Sequence, residues 1–301
     1  MAEDGVTVVV PTLNRGNVLL DCLSDLLQQS HRPLEIMVVD QSEQPSSEVE
    51  RMAVQHTDII RWHRVSFRGL LAARNFGWQR AKHEAVVFVD DDIRCGPLLT
   101  AEHLRALHLP GVGVVAGGIE EARGERCIVR QLGQFSRWTA TPERGFSAFG
   151  EGDVDHAPGG NFSTWRKVLR RVNGFDERFQ VGAALYEETD YCLRAQRAGF
   201  RIYFNGCARL THLAAGGGGC RVTEIPDYVH GLAHNRGLMM RRHLRWYHLP
   251  TAAVRLGMLS VSYAVHYRAP TAVALGLEGF ARGWGTAAGP AKCGDYRMSG
   301  I

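Results

Sequence analysis

Short apolar runs alternate along the first 120 residues with stretches whose apolar positions recur every three or four places. Val6-Thr7-Val8-Val9-Val10, Ile36-Met37-Val38-Val39, Ala85-Val86-Val87-Phe88-Val89 and the run from Val112 to Ala116 are rich in β-branched residues and short. Unbroken apolarity over that length predicts strands buried on both faces. A weaker strand is expected around Ile59 to His63. Between these runs, Val18, Leu19, Leu20, Leu23, Leu26 and Leu27 follow Asn17 at helical spacing, and the segments Leu70 to Arg80 and Leu98 to Leu107 also read as helices. Ser47-Glu48-Val49-Glu50 has capping-box form and opens a further short helix. Strand and helix in alternation predict βαβ units and a mostly parallel, doubly wound α/β sheet.

The pattern then changes. Residues 120 to 156 have no clear period and read as an insertion or hairpin. Gly159-Gly160-Asn161-Phe162-Ser163 reads as a loop before a basic helix from Arg166 to Val172. Tyr186-Glu187-Glu188-Thr189-Asp190 heads a helix that runs to Ala198 and stops at Gly199, a C′ glycine. Asp190 and Arg194 stand four apart on it and form a ready ion pair. A strand at Arg201 to Phe204 follows, then a loop with four glycines, Gly216 to Gly219. From Tyr228 to Arg245 the chain is dense in His and Arg, and from Trp246 through Tyr267 it is apolar with aromatics. That pairing fits an interfacial membrane helix or a helix packed on the rest of the protein.

Composition narrows the class. The chain has 301 residues, 45% hydrophobic and 22% charged, enough for a full core. Its net charge of +4 is uneven: residues 221 to 301 carry ten Lys/Arg against four Asp/Glu, leaving −2 for the first 220. Such a basic end suits a polyanion without choosing among them. Seven scattered cysteines, odd in number and without a C-x-x-C pair, argue against a disulfide framework or a zinc cluster and for a reducing cytoplasm. Met1-Ala2-Glu3-Asp4-Gly5 has no secretory character, and no apolar run of spanning length occurs, so a cytoplasmic protein or one peripheral to the inner face of the plasma membrane is expected.

The chemistry gathers where the strand at Ala85 to Val89 meets Asp90-Asp91-Asp92. In open α/β sheets ligands bind beyond the carboxyl ends of the strands, and three adjacent carboxylates there repel unless a cation relieves them. Mg²⁺ or Mn²⁺ shared with phosphate oxygens is the simplest remedy; a solvated acidic turn is the alternative. The first strand is not followed by G-x-G-x-x-G, which removes most support for a nicotinamide or flavin enzyme.

With these pieces in order the chain resembles family 2 of the glycosyltransferases, inverting enzymes of the GT-A fold. The resemblance covers roughly residues 5 to 220. It rests on Val9-Val10-Pro11-Thr12-Leu13-Asn14-Arg15, Val38-Val39-Asp40-Gln41-Ser42, Ala72-Ala73-Arg74-Asn75-Phe76-Gly77, Val89-Asp90-Asp91-Asp92, Gly159-Gly160-Asn161-Phe162-Ser163, Gly174-Phe175-Asp176, Glu187-Glu188-Thr189-Asp190 and His212. It implies a catalytic domain over residues 1 to 220, with nucleotide-sugar binding in about 1 to 118 and the acceptor and base half in 157 to 220. A mainly helical region over 221 to 301 would follow.

The resemblance also implies roles. Pro11, Thr12, Asn14, Arg15, Asp40, Arg74, Asp90 and Asp91 would surround the donor nucleotide, with Thr12 and Asp40 at the base and Asp91 structural. Asp90 and Asp92 match the D-x-D motif, and with His212 they would hold Mg²⁺ or Mn²⁺. Glu188, with Glu187 in reserve, would be the general base, and Gly159, Gly160 and Asn161 would flank the donor sugar and acceptor. The donor would be a UDP-, dTDP- or GDP-sugar and the acceptor a glycan or lipid-linked saccharide, as in building a surface polysaccharide; residues 228 to 268 are a candidate membrane contact. No nucleic-acid motif is present. Other readings are a sugar-nucleotide nucleotidyltransferase, which would want a Gly-rich basic loop where Pro11 to Arg15 stands, and a catalytically idle binding or scaffold subunit. A dehalogenase-type phosphatase is disfavoured by Arg94.

Overall fold

The computed structural model describes residues 4–122, 132–215, 222, 224–287 and 289–296. Eleven strands and nine helices occur among them: β1 Val6–Thr12, α1 Gly16–Leu27, β2 Leu34–Asp40, α2 Ser47–Gln55, β3 Ile60–Arg64, α3 Leu70–Arg80 and β4 Ala85–Val89. Then come β5 Ile93–Cys95, α4 Leu99–Leu107, β6 Val112–Glu121, β7 Phe135–Ser136, β8 Thr141–Pro142, β9 Glu151–Asp153, β10 Asn161–Trp165 and α5 Arg166–Val172. The chain closes with α6 Glu187–Arg197, β11 Arg201–His212, α7 Ile225–His243, α8 Leu249–His266 and α9 Thr271–Thr286.

A nine-stranded sheet in the order β3-β2-β1-β4-β10-β6-β11-β5, with β9 beside β11, forms the centre. The strands β3, β2, β1, β4, β6 and β11 run one way, and β10, β5 and β9 run against them. The apolar runs behave as expected: every residue of β1, β2 and β4 is buried, because helices cover both faces of the sheet.

Several boundaries differ from the sequence expectation. Ser46, not Ser47, caps α2, its hydroxyl accepting from Val49 N–H at 3.4 Å. The helix after β1 starts at Gly16, ahead of Asn17. The strand expected to end at Phe204 runs to His212, since β6, β9 and β5 all supply it with backbone partners. Asn161 was expected in a loop and instead begins β10, an antiparallel strand between β4 and β6. The unperiodic stretch contains the β7–β8 hairpin and β9, and its residues 123–131 lie outside the described set, as do Gly216 to Gly219. Cys22, Cys95, Cys192, Cys207 and Cys293 are free thiols; Cys127 and Cys220 lie outside the described residues.

The basic segment is solvated only in part: Arg241 and Arg245 are exposed, and the rest turns inward. Helix α7 buries His234, Arg236 and His243 and docks on the sheet's helical layer. Arg242 reaches Asp176 at 2.6 Å and Asp190 at 2.7 Å, and His243 Nε2 meets Asp190 at 2.7 Å. Arg194 completes the cluster on Asp190 at 2.7 Å, the pair expected from its spacing. Burial would raise the Asp190 carboxyl, yet Arg194, His243 and Arg242 together hold it well below the usual carboxylate range.

Candidate functional site

The carboxyl ends of β1, β2 and β4 open on one side of the sheet, and the antiparallel β10 enters beside β4 from that same end. This placement delivers the residues singled out in the sequence to one region. The Asp90-Asp91-Asp92 run leaves β4, while the far end of β11 returns there: Leu213 N–H donates to Asp92 O at 2.8 Å and Ala215 N–H to Asp92 Oδ2 at 2.9 Å.

The three carboxylates have separate environments. Asp91 is turned inward, accepting from Thr12 Oγ1 at 2.7 Å and from Arg15 Nη1 at 2.9 Å. Burial pushes its carboxyl up to about 6 despite these donors. Asp92 is buried, with Arg15 Nη1 3.2 Å from Oδ2 and His212 Nε2 3.3 Å from Oδ1. Burial would raise it, but His212 and Arg15 hold it below the ordinary range. Asp90 keeps a third of its side chain exposed and points toward Gly160 and Arg74.

Asp90, Asp92 and His212 present ligand atoms that all lie within 4.8 Å of one another. Asp92 Oδ1 is buried without a hydrogen-bond partner among the described residues. His212, pinned on its other side by Glu121 at 2.8 Å, is raised to about 9, chiefly by the Asp92 carboxylate. A buried, under-satisfied oxygen facing an imidazole and a second carboxylate is what a divalent cation with N and O ligands needs, so the donor set fits Mg²⁺ or Mn²⁺. Glu121, at the end of β6, escaped the sequence reading because nothing local links it to a histidine 91 positions away.

A second half faces this one. Arg74, on α3 and only 2% exposed, is no surface cation: Nη1 donates to Glu187 Oε1 at 2.9 Å, Nη2 donates to Gly159 O at 2.7 Å, and Asp90 Oδ1 lies 3.9 Å away. Glu187 and Glu188 open α6 after Tyr186, whose backbone is left-handed at φ 72°. Such a conformation is uncommon for a bulky residue and aims the first turn of α6 at Gly159. Glu187 is buried, and burial together with Glu188 pushes its carboxyl well above the usual range against the pull of Arg74. Glu188 is the more accessible of the two. A Cβ built on Gly160 would sit 2.5 Å from Asp90 Oδ2, so the glycine is what lets β10 enter so close to the carboxylates.

Other expected residues are placed more inwardly than their roles suggested. Asp40 is buried, with Trp62 Nε1 donating to one oxygen at 3.2 Å and Ser42 N–H to the other at 2.9 Å. The Thr12 hydroxyl is committed to Asp91. Pro11 lies in buried β1, and Asn14, at φ 57°, turns the chain beyond it with its N–H on Ser42 Oγ at 2.7 Å. Asn161 donates to Gly118 O and Ala208 O, both at 2.8 Å, and accepts across 2.8 Å from His103, so its side chain braces three strands.

The comparisons with known proteins agree with this layout. A model of the family described as glycosyl transferase family 2 matches residues 7–172. A pre-mycofactocin glycosyltransferase of Mycobacterium tuberculosis is 27% identical over 208 residues, 69% of this chain and 42% of the relative, so the chain spans under half of that relative's length. Glycosyltransferase GlyG of Streptococcus pneumoniae is 33% identical over 89 residues, 29% of this chain and 30% of the relative. Among solved structures, a mannosyltransferase from Pyrobaculum calidifontis in complex with GDP-Man and Mn²⁺ is similar at TM-score 0.54 and 19% identity, covering 93% of this chain and 87% of that one. GalNAc-T7 with UDP, GalNAc and Mn²⁺ is similar at TM-score 0.60 and 14% identity, covering 90% and 59%. These likenesses show the fold, GT-A with a helical C-terminal region.

Proposed function

This chain belongs to glycosyl transferase family 2, and on that premise we propose that it transfers a sugar with inversion from a nucleoside-diphosphate-sugar to a hydroxyl of a glycan or lipid-linked acceptor. The observation that carries the proposal is the meeting of two half-sites. Asp90, Asp92 and His212 gather at the end of β4, and Arg74 joins Asp90 to Glu187 beside Gly159. Two structural neighbours were solved with Mn²⁺ and with GDP-Man or UDP, which supports a divalent metal and a nucleotide-bound donor here.

In this reading Asp90, Asp92 and His212 hold the cation, which supplies charge neutralisation to the leaving diphosphate when bound. Arg15 stays with the acidic run and keeps Asp91 and Asp92 in place. Glu188 accepts the proton of the acceptor hydroxyl, whose oxygen attacks the anomeric carbon as the bond to the diphosphate breaks on the opposite face. Glu187 is a positioning residue: it fixes Arg74, while burial and the neighbouring Glu188 push its own carboxyl up. Gly159 and Gly160 expose backbone where the sugar would pass between the halves.

The test is release of nucleoside diphosphate from UDP-, dTDP- and GDP-sugars, with Mn²⁺ or Mg²⁺ added or chelated, in wild type, Asp92→Ala and Glu188→Gln. Metal-dependent release from one donor, lost in Asp92→Ala, supports the proposal and names the donor. Equal behaviour of all three proteins with every donor would overturn it.

A further inference from the structure

Helix α8 is built inside out. A helix on a water-soluble protein buries its large apolar residues and shows its small or polar ones. Here the inward face is Ala252, Leu256, Ser260 and Ala264, three of the four small. Outward point Val254 at 63% exposure, Met258 at 61%, Val261 at 50% and Val265 at 73%, spaced four, three and four apart along one stripe. Helix α9 beside it follows the same rule, burying Ala272, Gly276, Gly279 and Gly283 while Leu277 is 70% exposed. A Cβ on Gly279 or Gly283 would collide with the carbonyl of His230 or His234, so α9 lies backbone against backbone on α7. Small residues between helices and large ones outside is the arrangement that suits an apolar surrounding.

The ends and the charge specify which surrounding. Trp246 and Tyr247 stand exposed before α8 and Tyr267 stands exposed after it. From Leu244 to Leu277 there is no Asp or Glu, while Arg245, Arg255 and Arg268 are exposed along the same stretch. None of the three arginines has a carboxylate partner among the described residues. No helix is long and apolar enough to cross a membrane. We propose that the outward stripe of α8, with its aromatic ends and three arginines, docks flat on an anionic lipid bilayer. The apolar side chains enter the boundary between headgroups and acyl chains, the aromatic rings sit at headgroup level, and the guanidinium groups meet lipid phosphates. A second copy of this chain would bury the stripe equally well, yet it would bring the same arginines toward their own kind, and an exposed like-charged rim opposes that pairing. The buried arginine and histidines of α7 take no part.

The experiment is co-sedimentation of the full chain with vesicles of phosphatidylcholine alone or with about one-third phosphatidylglycerol, alongside its size in solution. The variants are Val254→Glu with Val261→Glu, and Arg255→Gln with Arg268→Gln. All four side chains are exposed and none is among the proposed metal or base residues, so nucleoside-diphosphate release in solution stays at the wild-type level and reports folding separately from docking. Wild type should bind the anionic vesicles, less so as salt rises, and the Glu pair should weaken binding about ten-fold or more. The Gln pair should bind the two vesicle types alike. Wild type that ignores both vesicle types, or that binds them as well as the Glu pair does, overturns the proposal. A dimer in solution that the Glu pair dissolves, with no vesicle binding, assigns the stripe to a second copy instead.

Discussion

Gly160 and the Glu187–Glu188 pair show how closely the site depends on single side chains. Because a Cβ at position 160 would come within 2.5 Å of Asp90 Oδ2, Gly160→Ala must move the carboxylate, the far end of a side chain one-third exposed. The expected result is a stability change under about 1 kcal/mol, since no backbone is displaced, with transfer reduced at least ~10-fold, read by steady-state kinetics and a urea melt on the same preparation. The two glutamates should separate. Glu188→Gln removes the proposed base and should lower turnover roughly 10²–10⁴-fold with donor affinity kept. Glu187→Gln keeps a hydrogen bond to Arg74 and should cost far less; equal losses in the two would contradict the division of roles. At this scale the sequence was readable in residue type and misleading in direction. Asp90, Asp92 and His212 converge as their motif positions imply, whereas the Asn161 amide, expected beside the ligand, is consumed by Gly118, Ala208 and His103. A side chain's partners are set by neighbours far away in sequence, and no local pattern encodes which oxygen an amide will find.

Among the elements, α7 and the β10–α4 contact carry the stability predictions. Arg242 serves both Asp176 and Asp190, each fully buried in its side chain. Removing one member of a buried ionic cluster leaves uncompensated charge, though Arg178 and Arg194 remain here as partners. Arg242→Met should therefore destabilise by about 2–3 kcal/mol, measured as a lower urea midpoint at unchanged slope. His103, on α4, is fully buried between Asn161 Oδ1 and Ser163 Oγ, and burial drives its imidazole down to about 4. Its unfolded value is about 6.5, so between pH 6.5 and 4 the unfolded chain binds the extra proton and stability falls as pH falls through that window. The loss attributable to His103 should approach about 3 kcal/mol by pH 4 and should be absent in His103→Gln, seen by comparing the two proteins' melts at pH 7, 5.5 and 4.5. Helices α1, α4 and α6 were legible because their apolar residues keep a helical period, whereas α3 is buried nearly all round and has none. The β5, β9 and β10 strands were not, since three- to five-residue strands carry too few positions to show a period and are held by partners up to about 120 residues away.

For the whole molecule, the proposed cation site would join the end of β4 to the end of β11, some 120 positions apart, and so act as a clasp between distant parts of the chain. A ligand that binds only the folded form stabilises it by mass action, about 2.7 kcal/mol at a hundred times its Kd. Mn²⁺ with the matching nucleoside diphosphate should raise the melting temperature by several degrees, chelation should reverse the rise, and Asp92→Asn should abolish it; a rise undiminished in Asp92→Asn would place the metal elsewhere. The arrangement of α7, α8 and α9 also belongs to this scale. From its composition the segment fits a packed helix or an interfacial one, and the fold divides the two properties between elements: α7 is packed with Arg236, Arg242 and His243 inside, and α8 shows its large apolar residues to the exterior.

The sequence by itself determined the α/β alternation and the buried strands β1, β2 and β4, because burial on both faces of a sheet demands continuous apolar runs, and it put three carboxylates where one of those runs ends. Tertiary structure alone decided that Arg74 faces Glu187 and Gly159, that Glu121 holds His212, that β10 runs antiparallel into the centre of the sheet, and which face of α8 looks outward. Those outcomes depend on pairings across some 80 to 110 residues and on which side of a helix finds a neighbour, and helical periodicity marks an apolar stripe without saying what will cover it.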